Sequence, residues 1–422
     1  MTRHIARKLT VAAGITIALP FLVTMASAGT TPAPLSVPDS AIHASTITVG
    51  GASPLSTTRT GAHWFGTALN PGNGVTYGFN MVGADPSLET STTITADIVP
   101  VNVVVAGRTF NGTDVVQPVL DSPMFTANDY TSTPFVTKST DGKTNDGFRA
   151  GGALSSGNTS NQLEDATMRA QFNTGGNYHV ILNPVVHDPI TIDVPANHGT
   201  LLQTGRGVIA GDVDVQWWAA RLQNLNNNLG FTDPTHLVLY VTDNVMMYGG
   251  NNPANCCIIG FHSASEVNGH GLGSTHSNGN ALVQTYAWAS YITPGFFNPR
   301  SGWAVQDIHA LSHEIAEWAD DPFVNNTVLP WLTPTAPQYG CTSVMETGDP
   351  VVGIGFAKGT NTFRQGPTPN GTQVADGYYH PEDEVFMPWF MRLSPSPAED
   401  GRYTLMGNLN PYPGFKAPAT GC

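Results

Sequence analysis

The chain has 422 residues, enough for one large or two ordinary domains. Charged residues make up only 11%, while Gly (45) and Pro (32) are numerous, which argues against a helical bundle and for a loop-rich β or α+β protein. A formal net charge of −14 excludes a general attraction to nucleic acid or to anionic membrane surfaces.

The chain opens with a signal-like segment. Arg3, Arg7 and Lys8 give a positive start, Leu9 to Met25 is an apolar run, and Ala26-Ser27-Ala28 is a small-residue cleavage site. The alternative is an uncleaved anchor, but Pro20 interrupts the run. Residues 1–28 are therefore read as a signal peptide and the mature chain as secreted and extracellular. No later stretch is long and apolar enough to span a bilayer. Residues 29–60 are rich in Thr, Ser, Pro and Ala and read as a flexible lead-in.

A β-rich region follows, assigned to 61–200. Residues 92–106, TTITADIVPVNVVVA, are β-branched, alternate in part and end at a turn at Gly107. Gln162 to Phe172 is the first helix expected, and strand character resumes at Tyr178. Residues 201–422 are assigned to a second, α+β region. Asp212 to Phe231 is expected to be a helix, with acidic residues at its start and Gly230 at its end. His236 to Asn244 reads as a buried strand, residues 268–281 as a Gly-rich loop, and 281–291 as ambiguous between strand and helix. The loop lacks the Lys-Ser/Thr that grips phosphate.

Four cysteines remain, Cys256, Cys257, Cys341 and Cys422. In an exported chain they are expected to form disulfides. Adjacent cysteines rarely bond each other, so Cys256 and Cys257 are expected to reach separately to Cys341 and Cys422, in either order.

Residues 307–322, DIHALSHEIAEWADDP, read as a short helix over 308–319, with Asp307 as N-cap and Pro322 as terminator. Ile308, Leu311, Ile315 and Ala319 share one side, which packs on the core; His309, His313 and Glu317 gather on roughly the opposite side. His313 and Glu317, four apart, present two ligands on one helical face, and Glu314 stands beside a metal-bound water as general base. A solvated helix face would carry similar residues by chance. A third ligand must come from elsewhere. Glu346 is the first candidate; Asp349 serves as a ligand or as a carboxylate orienting His309 or His313. A turn at Gly348-Asp349-Pro350 would explain the same residues without a metal. His309, four before His313, would restore a second nitrogen. Zinc suits the set; manganese, iron or calcium follow. His262, His270 and His276, in or near the Gly-rich loop, are more often idle in such settings, with His262 the most plausible extra ligand. Ser263 and Ser312 adjoin histidines but lack a Gly-x-Ser-x-Gly elbow.

Residues 312–326 (SHEIAEWADDPFVNN), 346–349 (ETGD) and 385–390 (VFMPWF), with Tyr403 and a terminal Cys, resemble the exordium or phosphate-induced family of secreted proteins and their bacterial relatives. Residues 257–263, CIIGFHS, are similar to a stretch there too. The likeness covers about half of the chain in scattered blocks. This chain is longer, its helix runs on as Trp-Ala-Asp-Asp, and its N-terminal β region is its own. The resemblance implies secretion and a zincin-like metal helix; together with the strand pattern of the first region, the fold expected is α+β, a β-rich N-terminal region followed by a zincin-like α+β region. The function expected is a metal-dependent hydrolase, peptidase-like, acting on a peptide or protein. The alternatives are a wall-associated or other binding protein with a structural metal or none, and a carbohydrate-binding β protein marked by exposed aromatics such as Trp217-Trp218 and Trp389-Phe390.

Overall fold

A computed structural model describes residues 35–36, 45–46, 62–131, 154–155, 157–267, 282–297, 304–334, 340–371, 376–407, 409, 415–420 and 422. The expected signal peptide, most of the lead-in and the whole of the Gly-rich loop, with His270 and His276, lie outside the described residues.

Two short strands, β1 (Leu35–Ser36) and β2 (Ser45–Thr46), precede a hairpin of β3 (His63–Leu69) and β4 (Thr76–Val82). The long β5 (Ser91–Val105) turns back as β6 (Arg108–Asn111), and two helices follow, α1 (Val116–Leu120) and α2 (Leu163–Gln171). Then come β7 (His179–Val186), β8 (Ile190–Asp193), β9 (Gly199–Gln203) and β10 (Ile209–Asp214). Helix α3 (Val215–Asn228) leads to β11 (Leu237–Asp243), β12 (Val245–Tyr248), β13 (Cys256–Val267) and β14 (Leu282–Tyr291). Helix α4 (His309–Asp320) is followed by β15 (Thr327–Leu332), β16 (Cys341–Val344), β17 (Lys358–Thr360), β18 (Tyr378–Tyr379) and α5 (Met387–Phe390).

The fold is mixed α+β, mostly sheet, and the main sheet is curled. Its order is β1-β9-β10-β12-β13-β14-β11-β5-β6, with β2 on β13 and β7 and β8 on β5. β5, β11 and β14 run parallel; β13 is antiparallel to β14. β5, from the region assigned to 61–200, pairs with β11, from the region assigned to 201–422, and both belong to one sheet. Within the stretch read as a lead-in, β1 pairs with β9 and β2 with β13.

Side chains alternate across β11 and divide the core in two. Val238 and Tyr240 join Trp218 and Leu222 of α3 on one face. Leu237, Leu239 and Val241 join Leu311 and Ile315 of α4 on the other. α3 is shorter than expected because Ile209–Asp214 is a strand; Asp214 caps the helix, accepting from the N–H groups of Gln216 and Trp217 at 2.9 Å each. The ambiguous stretch is a strand over its described residues, β14, buried on both faces from Val283 to Tyr291. Trp218, Trp389 and Phe390 are core residues, which removes most of the aromatic stripe that a sugar platform needs.

The disulfides also correct the expectation: Cys256 bonds Cys257, and Cys341 bonds Cys422. Cys341 opens β16 with Cys422 in reach, which leaves the adjacent pair to each other. No helix among the described residues is long and apolar enough to cross a membrane.

Candidate metal centre

Helix α4 packs on β14 and β13. Ala287 and Ala289 on β14 and Gly260 on β13 keep the sheet surface low, so that the helix approaches closely. A Cβ on Gly260 would stand 2.5 Å from Glu314 Oε1, so only glycine fits beneath that side chain. The helix starts one residue later than expected, and Asp307 is not its N-cap. Asp307 sits at φ 43 and accepts instead from Ile308 N at 2.6 Å and from His380 N and Nδ1 at 2.8 Å each. The amphipathic reading is half corrected. Every residue of α4 is buried, because the segments around 345–356 and 380–391 cover the face with His309, His313 and Glu317.

Gly260 and His262 lie two apart on β13 and share the face that meets the helix. His262 thus sits in a strand rather than in the Gly-rich loop, and it is buried. Its Nδ1 lies 3.6 Å from Glu314 Oε2 and 3.4 Å from Glu317 Oε2. Among the described residues, neither of its ring nitrogens has a hydrogen-bond partner, nor does either carboxylate oxygen of Glu314. Glu317 Oε1 faces the other way, 3.0 Å from His313 Nε2, and accepts from the backbone N–H groups of Gly348 (3.2 Å) and Asp349 (3.3 Å). Asp349 Oδ1 is 3.8 Å from His313 Nε2. Gly348 is also required by packing, since a Cβ there would meet His313 Nδ1 at 2.3 Å.

Two trios of potential ligands result: His262, Glu314 and Glu317; and His313, Glu317 and Asp349. Of the expected site residues, His313, Glu314, Glu317 and Asp349 come together. Glu346 is buried close enough to Glu317 and His262 for their charges to act on it. His309 does not join the trios. Its Nε2 lies 2.6 Å from Glu382 Oε2, and the same oxygen lies 3.0 Å from His313 Nδ1. Glu382, not Asp349, is therefore the carboxylate that orients both histidines. It is anchored by its own N–H to Ser312 Oγ at 2.9 Å, and Ser312 Oγ donates to His309 O at 2.9 Å.

The electrostatics follow from many carboxylates held out of water around three imidazoles. Burial opposes charge on His262, but Glu314 and Glu317 outweigh it and raise its pKa well above the ordinary value. His313 is raised in the same way by Glu317 and Glu382. Burial pushes Glu314 up to about 7 against the pull of His262 and His313. Glu317 is lowered, as His313 and His262 overcome its burial. Burial and then the Glu317 charge push Glu346 well up. Glu382 is lowered, since His309 and His313 outweigh burial. A divalent cation would relieve such a cluster, and imidazole with carboxylate is a donor set for zinc or manganese.

His262 and Glu382 escaped the sequence reading as central residues. Neither has a spacing that ties it to the helix. The similarity of 257–263 and the nearness of Glu382 to the 385–390 block were the available signals. No family model, no curated protein and no solved structure matches this chain.

Proposed function

We propose that this chain is a secreted metal-dependent hydrolase, peptidase-like, that activates water on a divalent ion, zinc by preference. The observation that carries the reading is the setting of His313. Its Nδ1 is engaged by Glu382 and its Nε2 points at Glu317 and Asp349. That is how a metal-binding histidine is ordinarily held, with a carboxylate on the far nitrogen fixing tautomer and ring angle. Asp349 is the one side chain of this trio with appreciable exposure, 20% against 1% and 3% for His313 and Glu317, so solvent and substrate would enter on its side. An ion at His313, Glu317 and Asp349 would polarise a carbonyl and acidify a bound water, and Glu314, next along the helix, is the carboxylate to take its proton. The zincin-like character of the helix, the likeness to the exordium family and the signal-like start belong to the same proposal.

The deep burial of Glu314, Glu317, His262 and His313 favours a second reading, in which the ion is structural and ties α4 to β13 and the 346–349 segment. One experiment separates the readings. Elemental analysis of the purified chain is expected to find tightly held zinc, absent from His313→Ala and Glu317→Ala and retained at the His313 trio in Glu314→Gln. A peptide-library screen with the loaded protein should then show cleavage that Glu314→Gln abolishes. Zinc with no cleavage, and a loss of stability on chelation, would select the structural reading. No metal after zinc is supplied would refute both.

A further inference from the structure

We propose that Glu317 bridges two divalent cations, one held with His313 and Asp349, the other with His262 and Glu314. The inference rests on the metal centre proposed above and goes beyond its single ion.

The first support is the direction of the two Glu317 oxygens. Oε1 is 3.0 Å from His313 Nε2, and Oε2 is 3.4 Å from His262 Nδ1. Each oxygen serves a different imidazole, from a different element of the fold. A second carboxylate completes each side: Asp349 Oδ1 at 3.8 Å from His313 Nε2, and Glu314 Oε2 at 3.6 Å from His262 Nδ1. Within each trio the ligand atoms lie within 4.8 Å of one another. Ligands about 2.0–2.2 Å from a common ion stand about 3–4 Å apart, which the four imidazole–carboxylate distances match. A carboxylate shared in this way holds two ions about 3.5–4 Å apart, the usual spacing of two-metal hydrolytic sites.

The second support is the state of His262. Among the described residues, both ring nitrogens of His262 lack hydrogen-bond partners although the residue is 1% exposed. An imidazole buried in that state, aimed between two carboxylates, calls for an explanation, and an ion on Nδ1 supplies one. The ion at His313 alone does not account for His262.

The third support is charge. Glu314, Glu317, Asp349 and nearby Glu346 carry four negative charges when ionised. One divalent ion balances half of them; two balance them all. Loaded with two ions, Glu314 acts as a ligand rather than as a free base, which is where this inference departs from the one-ion reading.

The test loads the full chain with Zn²⁺, removes loosely held metal and counts zinc per chain. Two equivalents are expected in the unaltered protein, one in His262→Ala, one in Asp349→Ala and none in Glu317→Ala. Loading with Mn²⁺ instead should give the exchange-coupled electron paramagnetic resonance spectrum of a bridged pair, which His262→Ala reduces to that of an isolated ion. The spectrum of the unaltered protein needs no variant to fold, and His262→Gln repeats the count with a bulkier replacement. A single equivalent, unchanged in His262→Ala, overturns the pair and leaves the one-ion centre standing. Two equivalents without coupling overturn the bridge. No metal at all overturns both readings.

Discussion

Glu382 decides what His313 can do. Its Oε2 lies 3.0 Å from His313 Nδ1 and 2.6 Å from His309 Nε2, so it fixes the His313 ring with Nε2 directed at Glu317. Glu382→Gln keeps the size of the side chain and removes its charge. Carboxylate partners of this kind are worth roughly 10- to 100-fold in metal affinity, and a chelator-competition titration should show a loss of that size with the ligand trio intact. Unchanged affinity would reduce Glu382 to packing. The pair His313 and Glu317 is legible in sequence because helix periodicity alone puts residues four apart on one face. Glu382 is not, since it reaches His313 across 69 residues, through a loop whose path is set by single contacts such as Gly355 with Glu382 and Val385 N with Thr347 O. His309 shows the same limit in reverse. It has the spacing of a ligand, but Glu382 occupies the nitrogen that would have served.

At the scale of elements, α4 was foreseen over 308–319 and observed over 309–320, so its position follows from local pattern. Its burial on all sides does not, because the cover comes from segments dozens of residues away. Asp307 is the hinge between the two. It holds the start of α4 through Ile308 N and the covering segment through His380. Burial alone would lower the pKa of His380, but the Asp307 carboxylate, helped by Asp376, raises it to about 9. A histidine whose folded pKa exceeds its unfolded value of about 6.5 contributes stability that is fully present below pH 6.5 and is lost as pH rises through the folded value. The ion pair is thus expected to weaken between about pH 6.5 and 9, by on the order of 3 kcal/mol in all at about 1.4 kcal/mol per unit. Urea denaturation across that range should show the fall in the unaltered protein and its absence in His380→Gln. Parallel pH profiles for the two proteins would mean that His380 is neutral in the fold.

For the whole molecule, the strands were legible one by one and their pairing was not. Residues 92–106 and 236–244 read as strands from their own composition, yet nothing local states that β5 and β11 lie side by side. Long-range closure is also where the cysteines matter. The Cys341–Cys422 bond spans 81 residues and joins the β15–β16 hairpin to the last described residue; the Cys256–Cys257 bond spans one. A cross-link stabilises chiefly by restricting the unfolded chain, in proportion to the logarithm of the loop it closes. The long loop is therefore worth about 4.5 kcal/mol on the chain-entropy estimate, and the adjacent pair almost nothing by that route. Trp389, buried beneath this end of the chain, receives Ala419 N on its carbonyl and donates Nε1–H to Lys416 O at 2.7 Å, so the C-terminal segment is packed as well as tethered. Removing the tether should thus destabilise without unravelling the core. Cys341→Ser with Cys422→Ser is expected to lower unfolding stability by about 2–5 kcal/mol in denaturant titrations, with zinc content unchanged, because neither residue belongs to the trios. Cys256→Ser with Cys257→Ser should cost far less by chain entropy. If the adjacent pair proved the costlier to lose, its role would lie in shaping the start of β13, and through it the placing of His262, rather than in closing a loop.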